Sequence, residues 1–498
     1  GCRVSGLRFL PAGHDGQVFV HIRGTEGVLV SRCRFDGGGR AGAAVLVEDA
    51  REVDVSKCLA VRCGGVGSDD NAIEFRRSQG RVLGNRCGKG GNDGIAIASS
   101  AVEVQDNKCW GNGRSGIVVA RDPLCPSRPS KVSVKGNRCH GNEGDGITFS
   151  SSVGEAWGNE SWGNGANGIA VQRDKVSPRR PSKVSVKGNR CHGNKGGGIA
   201  FVSSVGVARG NECWGNGFFG ILVKRDEEFT DQPLKATVEG NRCHGNKHSG
   251  VAFGSIEGEA RGNECWGNET EGILFVSSQG LAVNNRCHDN GLSGITFLYV
   301  EGQARGNECW GNKEAGILFD GSRGLAENND CWLSKTRSGI CVQSGSTGVL
   351  LRGNRCHDNK HSGIAFSSSE GEARGNQCWG NGLHGIDVQR NQESPGRPSK
   401  VTLEGNRCYG NTEVGIVFSS SAGEARGNTC WGNGLGSGVH REGPSAVLVE
   451  DHRQDPDLAA DIAGRTRQRA AHPLQAWLSA CAGNEARARA LADCVYSG

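Results

Sequence analysis

The sequence predicts an all-β parallel solenoid, and three observations carry that expectation. The phrase Gly-Asn-x-Cys-(His/Trp)-Gly-Asn recurs from Cys87, Cys109, Cys139 and Ser161 to Cys430 at spacings of 22 residues, lengthened to 30 at four places and to 25 at a fifth. A short fixed period is the signature of stacked repeats. Within a unit such as Val184 to Phe201, three short stretches alternate apolar and polar residues between Gly and Asn, the pattern of half-buried strands. The chain holds 82 Gly, several of them in every unit between residues 85 and 440, which disfavours a helical repeat. Leucine-rich repeats are excluded because Cys, Ile and Val, not Leu, fill the apolar positions.

The elements follow in order. Residues 1–84 read as irregular coils centred near Leu7, Cys33 and Cys58. Residues 85–445 are the regular repeat, with Val184, Val186, Cys191, Ile199 and Phe201 facing inward and Ser185, Lys187, Arg190 and His192 outward. This gives 18 coils and a rod roughly 85 Å long at the inter-strand spacing. Residues 446–498 add a strand and then Ala- and Arg-rich text with Leu458, Ile462, Leu474, Trp477, Leu478 and Leu491, which reads as a helical cap or docking segment for the open end.

Composition narrows the function classes. With 58 Lys plus Arg against 53 Asp plus Glu the chain is close to neutral, so nucleic acid is not an implied partner. No apolar run is long enough to span a bilayer, and no membrane role is expected. The 498 residues contain no Met and open on Gly1-Cys2-Arg3, which reads as a cut from something longer.

The repeated text Asn263-Glu264-Cys265-Trp266-Gly267-Asn268 with Gly272-Ile273-Leu274-Phe275 resembles that of the right-handed parallel β-helix proteins. That group includes pectate lyases, polygalacturonases, alginate epimerases and non-enzymatic repeat domains, and the resemblance covers about residues 1 to 445. It implies a single-stranded, right-handed helix and leaves function open, because the fold hosts many chemistries and some members have none.

Stacking turns each position into a column. Sixteen of the 22 Cys, counting Cys33 and Cys58, are expected on one inward column as core filling. Parallel side chains do not converge for disulfides, and His lies on the opposite face, so neither bridges, a metal nor a cofactor is expected. So many thiols favour a reducing, cytoplasmic location over a secreted one. Paired Asn such as Asn241 and Asn246 fit turns. The residue before Cys alternates Arg138, Glu160, Arg190, Glu212 and onward, and the residue after alternates His140, Trp162, His192, Trp214, His244, Trp266, His288, Trp310. The true unit is thus a pair of coils, with register set by opposite charges.

Three candidate sites emerge. Trp162, Trp214, Trp266 and Trp310 with His192 and His244 form either a structural stack or an exposed docking row for a protein or glycan. The four 8-residue insertions make a Pro-rich ridge with Arg121 and Asp122, Arg173 and Asp174, and Arg225 and Asp226 at the bases, either as ion pairs or as a partner-binding edge. The acidic group Asp69-Asp70, one coil before Asp93, faintly resembles polygalacturonase carboxylates, although the Gly-His-Gly and Arg-Ile-Lys elements of those enzymes are missing and turn formation is the competing role. The outward column of the third strand, Thr148, Ala170, Ala200, Leu222 to Asp387 and Val417, reads as exposed and chemically bland. The expectation is a non-catalytic scaffold that binds a protein or glycan, within a larger multidomain protein. A polysaccharide-active enzyme is the alternative.

Overall fold

The computed structural model describes residues 1–450 apart from 11–15, 66–69, 123, 126–128, 174–180, 227–233, 278 and 391–397. The expected C-terminal helical segment lies outside the described residues, and among those described there are only strands and turns. Each coil contributes a first strand of about five residues, a second of three and a third of four, as in Lys183–Lys187, Arg190–His192 and Ile199–Val202. Equivalent strands of successive coils pair in parallel, giving three sheets of 19, 18 and 18 strands. The rod therefore has 18 complete coils and the opening strand of another, Ala446–Glu450.

The alternation holds as expected: Val184, Val186, Cys191, Ile199 and Phe201 are buried, while Lys187 and Arg190 are exposed. Strand pleating alone produces this, because side chains of successive residues point to opposite faces. The column of the repeated Cys is fully buried, but it holds fourteen cysteines rather than sixteen. In the first coils its positions are taken by Phe9, Phe35 and Ala60, each in register with the next and Ala60 with Cys87. Cys33 and Cys58 lie two residues earlier, where later coils place Asn: the Cys58 amide donates to Asn85 Oδ1 at 2.9 Å.

All twenty described cysteines are free, and only Cys2 is exposed and Cys125 half-exposed. Burial pushes the thiols of Cys213, Cys243 and Cys287 well above their ordinary range, so they stay protonated and unreactive. A thiol reagent is expected to label Cys2 and Cys125 at once and the inner column only after urea opens the rod. Prompt labelling of most of the 22 in buffer would refute the buried column.

Two asparagine ladders line the turns. Asn241 Oδ1 accepts from both the amide N and the Nδ2 of Asn211, at 2.9 Å each, and Asn241 Nδ2 donates to the Ala208 carbonyl at 3.0 Å. The second ladder runs through Asn216, Asn246 and Asn268 in the same way. Buried polar groups at the turns are thereby paired, avoiding a cost of about 1–3 kcal/mol for each one left unmade.

Core volume is balanced between sheets. Where the third strand brings Phe inward, the following first strand brings Gly and Ala: Phe253 with Gly258 and Ala260, Phe275 with Gly280 and Ala282, Phe297 with Gly302 and Ala304. Where it brings Val, the next strand is larger: Val171 with Val184 and Val186, Val388 with Val401 and Leu403. A Cβ on Gly302 would lie 2.2 Å from the Phe297 ring, so the ring occupies the space of the absent side chain. The Phe253, Phe275, Phe297 and Phe319 rings stack at 4.8, 5.2 and 4.9 Å.

Candidate functional site

The outward column of the second sheet is a closed stack. His192 lies 4.2 Å from Trp214, which lies 6.0 Å from His244, which lies 4.2 Å from Trp266, and the series extends through Trp162 at one end and Trp310 at the other. Arg190, Arg242 and Arg286 sit over Trp214, Trp266 and Trp310 at 5.1 to 5.2 Å. The rings are half-buried and their faces are covered by neighbouring rings and guanidinium groups. Of the two alternatives the sequence offered, this is the structural stack, which leaves chiefly ring edges to solvent. Burial lowers the pKa of His140, His192 and His244, favouring neutral imidazoles between the indoles. Beside the stack, Arg190 pairs with Glu160 and Glu212 at 3.7 and 3.4 Å, and Arg286 with Glu264 and Glu308 at 3.9 and 3.3 Å. Such exposed pairs contribute little energy each, and they fix which coil sits on which.

The outward column of the third sheet is neither exposed nor bland. The turn after the second strand folds over it, leaving Thr148, Ala200, Leu318 and Val417 buried, and Ala315 of that turn packs with Leu318, Cys341 and Ala365 as a small second apolar cluster. Asp93 sits in this turn: its amide donates to Asn71 Oδ1 and its Oδ1 accepts from the Ser115 amide at 2.7 Å. Asp145 repeats the arrangement with the Asn167 amide at 2.8 Å and takes a bond from Thr148 Oγ1. Burial raises Asp93 to about 6 and raises Asp145 as well. Asp70, two coils before Ser115, offers its carbonyl to Asn92 Nδ2 at 3.1 Å. Asp69 lies outside the described residues. Nearby, buried Glu74 is held by Asn71 Nδ2 and Arg76. The Asp93 and Asp145 carboxylates are thus committed to coil-to-coil bonds along one edge, and Glu74 to partners in its own coil.

Besides Glu74, that column holds a second acidic position, which the sequence reading grouped with the bland residues. Asp387 continues the apolar strip, in register with Ala365 on one side and Val417, then His440, on the other. Burial, then the charges of Glu442 and Glu413, push it up to about 7. Glu413 of the next coil pairs with His384 Nε2 at 3.1 Å. The signal was available as the lone Asp in an apolar column. Among the described residues no group of three or more His, Cys, Asp and Glu is arranged to hold a metal ion.

The insertion bases are anchored separately. Buried Arg121 donates from Nε to the Ser151 carbonyl at 2.6 Å, and Asp122 pairs with Arg77 rather than with Arg121. Asp226 takes Lys224 at 3.8 Å, and its amide donates to Ser203 Oγ, while Arg225 is half-buried beside it. Arg173 is buried. Asp174 and most of the ridge lie outside the described residues.

The open surface is the outer face of the first sheet. Its five-residue strands present three outward columns uncovered by turns. In register along one edge stand Lys135, Trp157 and Lys187, and along the other Lys131, Val153 and Lys183. Trp157 is 45% exposed, alone among the described tryptophans in being more than a third exposed. Lys135 Nζ lies 4.8 Å from its ring. The sequence offered a signal here too: Val153, Glu155 and Trp157 occupy the outward phase of a period-2 strand, but outside the repeated phrase.

A family model described as a right-handed β-helix region matches residues 18–175, 158–257, 232–331 and 327–451. Among solved structures the chain is similar to the A-module of a mannuronan C-5 epimerase of Azotobacter vinelandii, at 13% identity over 83% of this chain and 91% of that one, with a TM-score of 0.33. It is also similar to a periplasmic alginate epimerase (13% identity, 82% of this chain, 76% of that one, TM-score 0.29) and to the Dettilon tailspike protein (14%, 70%, 62%, 0.29). No curated protein matches the chain.

Proposed function

Because the chain belongs to the right-handed β-helix family, whose coils hold side chains in fixed columns, we propose that it is a recognition scaffold binding an extended glycan along the open face of its first sheet. One observation carries this reading: Trp157 is 45% exposed on the strand face between Lys135 and Lys187, with Lys135 Nζ 4.8 Å over one side of its ring, while the stacked indoles of the second sheet are half-buried between neighbouring rings. An exposed aromatic ring bordered by hydrogen-bond donors suits the apolar face and hydroxyl rim of a sugar ring. Rigid aromatic anchors of this kind carry a large share of binding energy. Trp157→Ala is expected to weaken glycan binding about tenfold or more, measured by calorimetry against a panel of polysaccharides, with the fold unchanged by circular dichroism. Unchanged affinity on every bound glycan would sink the reading.

A second reading, a polysaccharide-active enzyme, is favoured by Asp387 and Glu413. The two carboxyl groups lie on adjacent coils in different surroundings, one enclosed by an apolar strip and one paired with His384. Such a difference separates an acid from a base. Release of reducing ends from a polysaccharide, lost in Asp387→Asn, would support it. The inner column of fourteen thiols supports folding in a reducing compartment, such as the cytoplasm.

A further inference from the structure

The same face specifies the ligand more closely, and this inference rests on the glycan-recognition reading. Its cations recur on alternate coils. Lys131 and Lys135 share one strand, Lys183 and Lys187 share the strand two coils on, and the strand between them presents Val153 and Trp157 at the same register positions. Two coils advance the rod by about 9.6 Å. Among the described residues none of these four lysines is in an ion pair. Cations further along the face are neutralised: Lys235 pairs with Glu257 at 2.7 Å, Arg209 with Glu239 at 3.6 Å and Arg305 with Glu327 at 3.6 Å. The one carboxylate inside the patch, Glu155, is in the middle column and accepts a hydrogen bond from Ser133 Oγ at 2.9 Å. The coil before offers Ala101, Glu103 and Gln105 at these positions, so the patch is bounded on that side.

We infer that the Lys135, Trp157 and Lys187 edge binds an acidic copolymer in which charged and uncharged sugars alternate, running parallel to the rod. One coil rises by about 4.8 Å, close to the advance of one sugar in an extended chain. A carboxylated or sulfated unit over Lys135 therefore places the next unit over the Trp157 ring and the following acidic unit over Lys187. A polymer charged at every unit would bring an anion onto the exposed side of the indole, whose π-electrons repel it. Lys131 and Lys183 stand at the far edge, about 13 Å across the strand. They add to the field that attracts the polymer without touching the same chain.

The test uses the full chain and calorimetry at two salt concentrations with four probes: hyaluronan, polygalacturonate, dextran and single-stranded DNA. Hyaluronan is expected to bind best. Trp157→Ala and the double variant Lys135→Gln/Lys187→Gln should each weaken it about tenfold or more. The double variant should also flatten the salt dependence, whereas Lys131→Gln/Lys183→Gln should change affinity by only a few-fold. If polygalacturonate or DNA binds as tightly as hyaluronan, the alternating-charge inference is overturned. Dextran binding equal to hyaluronan overturns it too, while leaving the glycan scaffold standing. Failure of every polysaccharide to bind overturns both.

Discussion

Phe297→Ala is expected to destabilise the middle of the rod by about 3–5 kcal/mol, the usual cost of emptying a core aromatic site. The reason the site cannot collapse is local. Gly302 opposite the ring has no side chain and Ala304 only a methyl group to move into the void, and the Phe275 and Phe319 rings on either side are held in their own coils. The converse change, Gly302→Val, should cost about 1–3 kcal/mol by overpacking, since its Cβ alone would overlap the Phe297 ring. Combined as Phe297→Val with Gly302→Val, the pair recreates the Val-and-Val arrangement seen at Val171 and Val184. The double variant should therefore lose less than the sum of Phe297→Val alone and Gly302→Val alone. Urea unfolding monitored by hydrogen exchange in the coils around residue 297 measures all three, and strict additivity would refute the volume balance.

Asp387→Asn should remove a pH dependence. The folded carboxyl is pushed up to about 7, first by burial and then by Glu442 and Glu413. An unfolded Asp titrates near 3.9. The folded state therefore holds the proton more tightly. Its contribution to stability is fully present below about pH 4 and is lost as pH rises through about 7. The loss is on the order of 2–4 kcal/mol. It is confined to the coils near Asp387, because a solenoid opens locally. Hydrogen exchange of residues 386–419 between pH 4 and 8 should slope in the native chain and be flatter in the variant. Parallel profiles would show that the carboxyl titrates normally.

The repeat period, strand phases and inward Cys column were legible because each rests on spacing, which stacking translates directly into position. The errors share one cause, which is that alternation reports only inward or outward. Placing Cys33 and Cys58 on the Cys column was a slip of two residues. A period-2 strand hides such a slip, and without Asn in the first coils nothing pinned the register. Reading the third-strand column as exposed assumed that outward means open, whereas the folded-over turn covers Leu318 and Val417. The Trp row left a structural stack and a docking row as alternatives, and the stack follows from a ring on every coil with neighbours 4.2 Å away. Trp157 escaped notice because it lies outside the repeated phrase, so its importance appears only when exposure is compared residue by residue.

The asparagine ladders give the rod a direction of assembly. Each Asn accepts from the backbone and side-chain amides of the coil before it and donates to that coil's carbonyl, as Asn241 does for Asn211 and Ala208. A coil leaving the ribosome is thus incomplete until the following 22 or 30 residues emerge to close it. Synthesis from the N-terminus supplies those partners in the required order, one coil at a time. A chain refolding at full length has no such schedule, and any of its near-identical asparagines can close the wrong neighbour.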